Sequence, residues 1–195
     1  MRVLIACEFS GIVRDAFLAR GHDAWSCDLL PCEADSEKHY QCDVRELLSG
    51  YGWREWDLMI AHPPCTRLAV SGARWFKLYE QEQAEALAFV RSLMNAAPAR
   101  IALENPISVI SSRIRKPDQI IQPWQYGHGE TKATCLWLKN LPALVPTDVV
   151  DGRVPRVHHA SPGPDRWKER SRTLPGIAQA MAAQWGSLGA VQVAA

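Results

Sequence analysis

Short apolar runs alternate along the chain with longer stretches in which apolar positions recur every three or four residues, the signature of strands alternating with helices. Arg2 to Cys7 reads as a buried strand. Ser10-Gly11 follows as a tight turn able to cap a helix to about Ala19, and Gly21 ends that helix. Asp23 to Cys27 forms a second strand finishing at Asp28, so Arg2 to Asp28 is a βαβ unit with an acid at the end of its second strand. Leu58 to Ala61 is a wholly apolar run that ends abruptly at Pro63-Pro64. Leu78 to Asn95 sets Leu87, Val90, Leu93 and Met94 at helical spacing, with glutamates towards its start, and predicts an amphipathic covering helix. Ala99 to Leu103 and Cys135 to Leu138 are further strands, and Pro175 to Trp185 is a closing helix. This alternation predicts an α/β chain with a mostly parallel central sheet.

Composition narrows the setting. At 195 residues and 47% hydrophobic content, one domain with a substantial core is expected, spanning residues 1–195. A formal net charge of +1 excludes a global electrostatic footprint for nucleic acid and leaves room for a local patch. Six cysteines without a signal peptide point to a reducing, cytoplasmic setting rather than a disulfide scaffold. No apolar run approaches the ~20 residues that span a bilayer, so no membrane partner is expected. The small-residue tail after Gly186 is expected to fray.

Candidate chemistry centres on His62-Pro63-Pro64-Cys65-Thr66. Two prolines fix φ and remove two donors, so the turn that presents Cys65 is largely decided before folding. If Leu58 to Ala61 is a parallel strand, Cys65 lies at its carboxyl end, where ligands gather in open α/β sheets. Glu104, at the end of the next strand in Glu104-Asn105-Pro106, would emerge at the same edge. Asp28 is placed to accept from ribose hydroxyls, and Asp43 suits a base amino group. Cys27, Cys32, His39 and Cys42 offer four soft ligands, but their spacing matches no standard zinc knuckle or ribbon, and no metal is expected.

Taken in order, these motifs resemble those of the cytosine-C5 DNA methyltransferases. Phe9-Ser10-Gly11 is similar to the family's first motif, Asp28 to its ribose-binding acid and Asp43 to its adenine-contacting acid. Pro64-Cys65, followed by Ser71-Gly72, resembles the Pro-Cys-Gln loop, and Glu104-Asn105-Pro106 the Glu-Asn-Val motif. The resemblance implies a Rossmann-like S-adenosylmethionine-dependent methyltransferase fold, with S-adenosylmethionine held by Phe9, Ser10, Gly11, Asp28, Asp43 and Pro63. It also implies Cys65 as the nucleophile adding to cytosine C6, Glu104 as its electrostatic partner at N3, and Asn105 and Ser71 near the target base. A base in a duplex would first be flipped out. Lys132, in a loose counterpart of the family's Gln-x-Arg-x-Arg element, joins the substrate-binding set, and the closing helix is expected against the first strand region. The chain departs from the family at Val13 and Arg14, where glycines are usual, and at Thr66 and Pro106.

Roughly 40 residues separate Lys132 from Arg172, too few for the family's large target-recognition domain. A basic, Pro-rich loop of about 146–172 stands there, carrying Arg153, Arg156, His158, His159, Arg166, Lys168, Arg170 and Arg172 around Trp167. Arg170 and Arg172 are its candidates for phosphate contacts, with Trp167 able to stack on a base or to pin the loop by packing. Arg113, Arg115 and Lys116 form a second basic cluster. The expectation is C5 methylation of cytosine in DNA with relaxed specificity, on a chain resembling the compact enzymes of bacteriophages and acting in the host cytoplasm. Methylation of cytosine in RNA or a free nucleotide, or a silent nucleic-acid-binding module, are the alternatives.

Overall fold

A computed structural model describes residues 1–34, 36–49, 55–159, 161 and 163–189. The tail expected to fray after Gly186 instead begins with a 3₁₀ turn at Gly186–Leu188, while its residues 190–195, and of the basic loop the His158 side chain, lie outside the described residues. Seven strands, β1 (Arg2–Ala6), β2 (Asp23–Asp28), β3 (His39–Gln41), β4 (Leu58–Ala61), β5 (Arg100–Pro106), β6 (Gln119–Ile121) and β7 (Thr134–Lys139), form one sheet in the order β3-β2-β1-β4-β5-β7-β6. The first five pair in parallel, whereas β7 runs antiparallel to both β5 and β6. This is the Rossmann-like, mostly parallel sheet that the resemblance implies.

Alternation along β1 shows how the layers form. Val3 and Ile5 point to one face and join Val13 and Phe17 of α1 (Ile12–Leu18) and Ile177 and Met181 of the closing helix. Leu4 and Ala6 point to the other and join Val44 and Leu47 of α2 (Val44–Leu48) and Val90 and Leu93 of α3 (Glu80–Met94). A strand buried on both sides needs a continuous apolar run, which β1 and β4 supply. The chain continues through α4 (Ile110–Arg113), α5 (Arg156–His159), α6 (Arg166–Ser171) and α7 (Pro175–Gln184), with α7 packed on α1. No helix among the described residues is long and apolar enough to cross a membrane.

Several expectations shift. The helix expected from Leu78 begins instead at Glu80, after a 3₁₀ segment at Val70–Tyr79. Val70, Trp75 and Leu78 of that segment are exposed, so no buried face recruits it into α3. The strand expected to stop at Leu103 runs to Pro106, because β7 pairs Glu104 with Leu136 and Asn105 with Cys135. Glu104 therefore sits on a hydrogen-bonded strand rather than beyond one. The basic loop contains two short helices, α5 and α6. Strands β3 and β6 are too short to show a period in sequence.

Candidate active site

At the β1–β4 junction the strand order reverses, with β2 on one side of β1 and β4 on the other. Such a switch point opens a crevice beyond the carboxyl ends of the strands. Register pairs Ala6 with both Cys27 and Ala61, and Ala61 with Leu103, so Cys7, Asp28, His62 and Glu104 come to one edge of the sheet.

The turn after β1 is tightly held. Cys7 adopts φ 59°, which bends the chain so that the Glu8 side chain folds back beneath the start of α1. There the Glu8 carboxylate accepts from the amides of Val13 (2.7 Å) and Arg14 (3.3 Å) and from the Ser10 hydroxyl (3.3 Å). Burial raises the Glu8 carboxyl above its ordinary value despite the His62 charge and these amides. Gly11, at φ +75°, caps α1, and a Cβ there would lie 2.4 Å from Arg14 Nη2. Arg14, standing where the resemblance would put glycine, is fully buried and donates to Asp15 (2.8 Å), Ser26 (3.0 Å) and Cys32 (3.1 Å). Its guanidinium packs against the Gly11 turn, in the space a side chain at position 11 would need.

Beside this turn lies a cleft of about 630 Å³, lined by Cys7, Asp28, Asp43, Pro64, Arg67 and Phe89 among others. Burial raises the Asp28 carboxyl above its ordinary value, although one oxygen accepts from the Leu30 amide at 2.9 Å. Asp43 caps α2 through the Arg45 amide (2.9 Å), and the Arg45 guanidinium holds its carboxyl below the usual range. Pro64 lines the cleft. Pro63 is buried behind it, its carbonyl accepting from Asn105 Nδ2 at 2.9 Å. Phe9 is covered by Trp167, their ring centroids 5.7 Å apart.

The Cys65 turn is closed by the amides of Leu68 (3.0 Å) and Ala69 (2.9 Å), both donating to the Cys65 carbonyl. Burial and the Glu104 charge push the Cys65 thiol up, while Lys132 and Arg170 pull it down. Burial works to raise Glu104, but the hydrogen bond and charge of His62, with Lys132, outweigh it and hold the carboxyl below its ordinary range. By contrast, burial with Asp28 and Asp43 nearby pushes Cys7 up to about 12, and burial with Glu104 pushes Cys135 up to about 11, so both stay protonated.

The basic segment crosses the mouth of the site. Lys132 Nζ donates to the Arg172 carbonyl at 2.9 Å, and the Arg172 guanidinium grips Glu33 through both carboxylate oxygens. Arg156 pairs with Glu130 and Arg153 lies over the Trp124 ring, so these cations already have partners within the chain. Arg170, whose charge reaches Cys65, has a buried Nε without a partner among the described residues. Ser71 stands exposed on the 3₁₀ segment after the Cys65 turn. Asn105 is 1% exposed and turned towards the Pro63 carbonyl.

His62, absent from the expected site residues, is brought into it: its Nδ1 lies 3.0 Å from Glu104 Oε2. The sequence signal was its place directly before Pro63-Pro64-Cys65, but only the parallel register sets residue 62 beside residue 104. The soft-ligand set does not converge. Cys27 and Cys42 have sulfurs 3.8 Å apart, Cys32 faces Arg14, and His39 bonds to Ser26 and Leu30. Among the described residues no three His, Cys, Asp or Glu side chains are grouped to hold a metal.

No protein-family model matches the chain, and no curated protein matches it. Among solved structures it is similar to one described only provisionally as a DNA modification methyltransferase encoded within a prophage (E. coli), at 17% identity and a TM-score of 0.45, covering 83% of this chain and 55% of that one. The chain thus spans about half the length of that structure.

Proposed function

We propose that the protein methylates C5 of cytosine in DNA, using S-adenosylmethionine and a transient covalent bond from Cys65. The observation that carries this reading is the juxtaposition of the Pro63-Pro64-Cys65 turn and Glu104 on adjacent parallel strands, beside a cleft walled by Asp28 and Asp43.

Those two carboxylates, with Pro64 and Phe89, suit the nucleoside part of S-adenosylmethionine, and the cleft has the volume for a ligand of that class. Bound there, the cofactor supplies an electrophilic methyl group. Cytosine C5 is a poor nucleophile until the ring is activated. Cys65, as thiolate, adds to C6, and the electron pair displaced from the C5–C6 double bond makes C5 nucleophilic. A proton held between Glu104 and N3 offsets the charge that develops in the ring. After C5 is methylated its proton is lost to water, the double bond re-forms, and Cys65 leaves as thiolate. Lys132 and Arg170, whose charges lower the Cys65 thiol, favour the thiolate at both ends of this sequence.

Relaxed sequence specificity belongs to the same reading. Phosphate contacts orient a protein without carrying sequence information, whereas reading several base pairs needs side chains held against base edges. Between Lys132 and Arg172 the chain offers two short helices and a strap whose Arg156 and Arg172 are engaged internally. Incubation with labelled S-adenosylmethionine and a panel of duplex DNA, single-stranded DNA, RNA and dCMP tests the reading. Label in cytosine C5 of DNA is the expected result, and label confined to RNA or dCMP would replace it with a smaller-substrate enzyme.

A further inference from the structure

The Glu104 carboxylate faces a requirement that its own surroundings do not meet. Ring activation needs a proton at N3, yet His62 and Lys132 hold Glu104 ionised. The proton has to be stored beside it. His62 is the group in position: Nδ1 lies 3.0 Å from Glu104 Oε2, with side-chain exposures of 9% for His62 and 13% for Glu104. The other ring nitrogen, Nε2, is buried and has no partner among the described residues. It belongs to a residue that lines a cavity of about 40 Å³, together with Glu8, Phe9, Ser10, Arg172 and Thr173. A cavity of that size exceeds the ~10–15 Å³ a single water needs, and its lining includes the polar residues Glu8, Ser10, Arg172 and Thr173. An imidazole with one nitrogen on a buried carboxylate and the other unpartnered, on a ring that borders a water-sized cavity, can pass a proton between the carboxylate and that second nitrogen.

We propose that His62 is the proton partner of Glu104, a positioning residue that acts through that carboxylate. The inference rests on the cytosine-C5 reading and deepens it. In the resting site the pair shares one proton on the Nδ1–Oε2 hydrogen bond. As Cys65 Sγ bonds to C6, that proton passes through Glu104 to N3, leaving His62 neutral. When the C6–S bond breaks, the N3 proton returns by the same path and His62 is again the holder. The loan is closed within each turnover, and the Nε2 face lets the pair exchange protons with solvent between turnovers. The titratable and charged groups near the pair are Cys7, Glu8 and Arg172, which line the cavity with His62, Lys132, which acts on Glu104, and Cys65, on which Glu104 and Arg170 act.

The test uses the full chain, S-adenosylmethionine and DNA carrying 5-fluorocytosine, in which the adduct cannot lose its C5 substituent and accumulates. Adduct formation is followed against pH for wild type and for His62→Asn, whose amide keeps a donor near Nδ1 but cannot hold a second proton. The expected result is a rate lower by about 10²-fold, the usual scale for a lost acid–base group, with the high-pH limb moved towards acid because Glu104 must now bind the proton itself. Cofactor affinity should stay at the wild-type value, and a cooperative thermal transition shows that the variant is folded. His62→Gln, uncharged and of similar length, gives the same readout if the Asn variant does not fold. A variant that forms adduct at the wild-type rate with an unmoved pH profile would overturn the proposal while leaving the C5 reading in place. Absence of adduct in wild type would remove the C5 reading, and this inference with it.

Discussion

Asn105 and Pro63, 42 positions apart in sequence, are joined by a hydrogen bond of 2.9 Å from the Asn105 amide to the Pro63 carbonyl. The bond clamps the turn that carries Cys65 to the strand that carries Glu104. Replacing Asn105 with Ala leaves that buried carbonyl without its donor, at a cost of about 1–3 kcal/mol in stability. Denaturant unfolding should show this loss, and turnover should fall more than cofactor affinity. Equal losses in both would mean that the clamp serves the whole crevice rather than the turn.

Cys65→Ser should abolish turnover and leave S-adenosylmethionine binding nearly intact, because the side chain contributes the nucleophile and not the cofactor cleft. Calorimetry beside a methyl-transfer assay separates the two effects. Substantial remaining activity would end the covalent mechanism.

The pH dependence of the thiol has a definite sign. Burial and Glu104 raise Cys65, so the reactive thiolate grows with rising pH and the rate should show an ascending limb. Lys132 and Arg170 counter that shift. Lys132→Ala and Arg170→Ala should therefore move the ascending limb to higher pH, a displacement readable in single-turnover kinetics. A limb that moves to lower pH in either variant would assign these cations another role.

Replacing Asp28 or Asp43 with Ala should weaken S-adenosylmethionine binding by about 1–3 kcal/mol, the usual cost of a lost hydrogen bond to a charged group. The two differ in stability. Asp43 also caps α2, so its loss should lower unfolding stability by about 1 kcal/mol, whereas Asp28 has no such duty. Unchanged calorimetric affinity in both variants would place the cofactor elsewhere.

Relaxed targeting should appear as modification in which context is limited to the cytosine and one flanking base, with affinity falling steeply as salt rises. Single-stranded DNA should be modified at least as well as duplex, since few contacts are present to offset the few kcal/mol of unstacking. Bisulfite sequencing after methylation in vitro checks this. Modification confined to a motif of four or more defined bases would show that the strap reads sequence.

Much of the architecture was legible from period and punctuation. The runs at Arg2–Ala6 and Leu58–Ala61 are apolar on successive residues because both faces of those strands are buried, and the prolines after Ala61 mark where pairing stops. Phe9-Ser10-Gly11 and Cys65 were legible as candidates because each follows a strand whose end is written locally, and Asp28 and Glu104 because each is a carboxylate near the carboxyl end of an otherwise apolar run. Harder to read were β3 and β6, which are too short to show a period, and the continuation of β5 to Pro106, which depends on a partner strand roughly thirty residues away.

By itself, then, the sequence determined the alternation of strands and helices, the stiff turn at Cys65 and the acids at the strand ends, since these follow from periodicity and from the backbone limits of proline and glycine. Tertiary structure decided which of these groups meet. Parallel register set His62 against Glu104 across 42 positions, and the strap tied Arg172 to Glu33 across 139. It also buried Arg14 beneath the Gly11 turn. Such pairings depend on strand order and on how segments distant in sequence pack, and neither leaves a periodic trace in the chain.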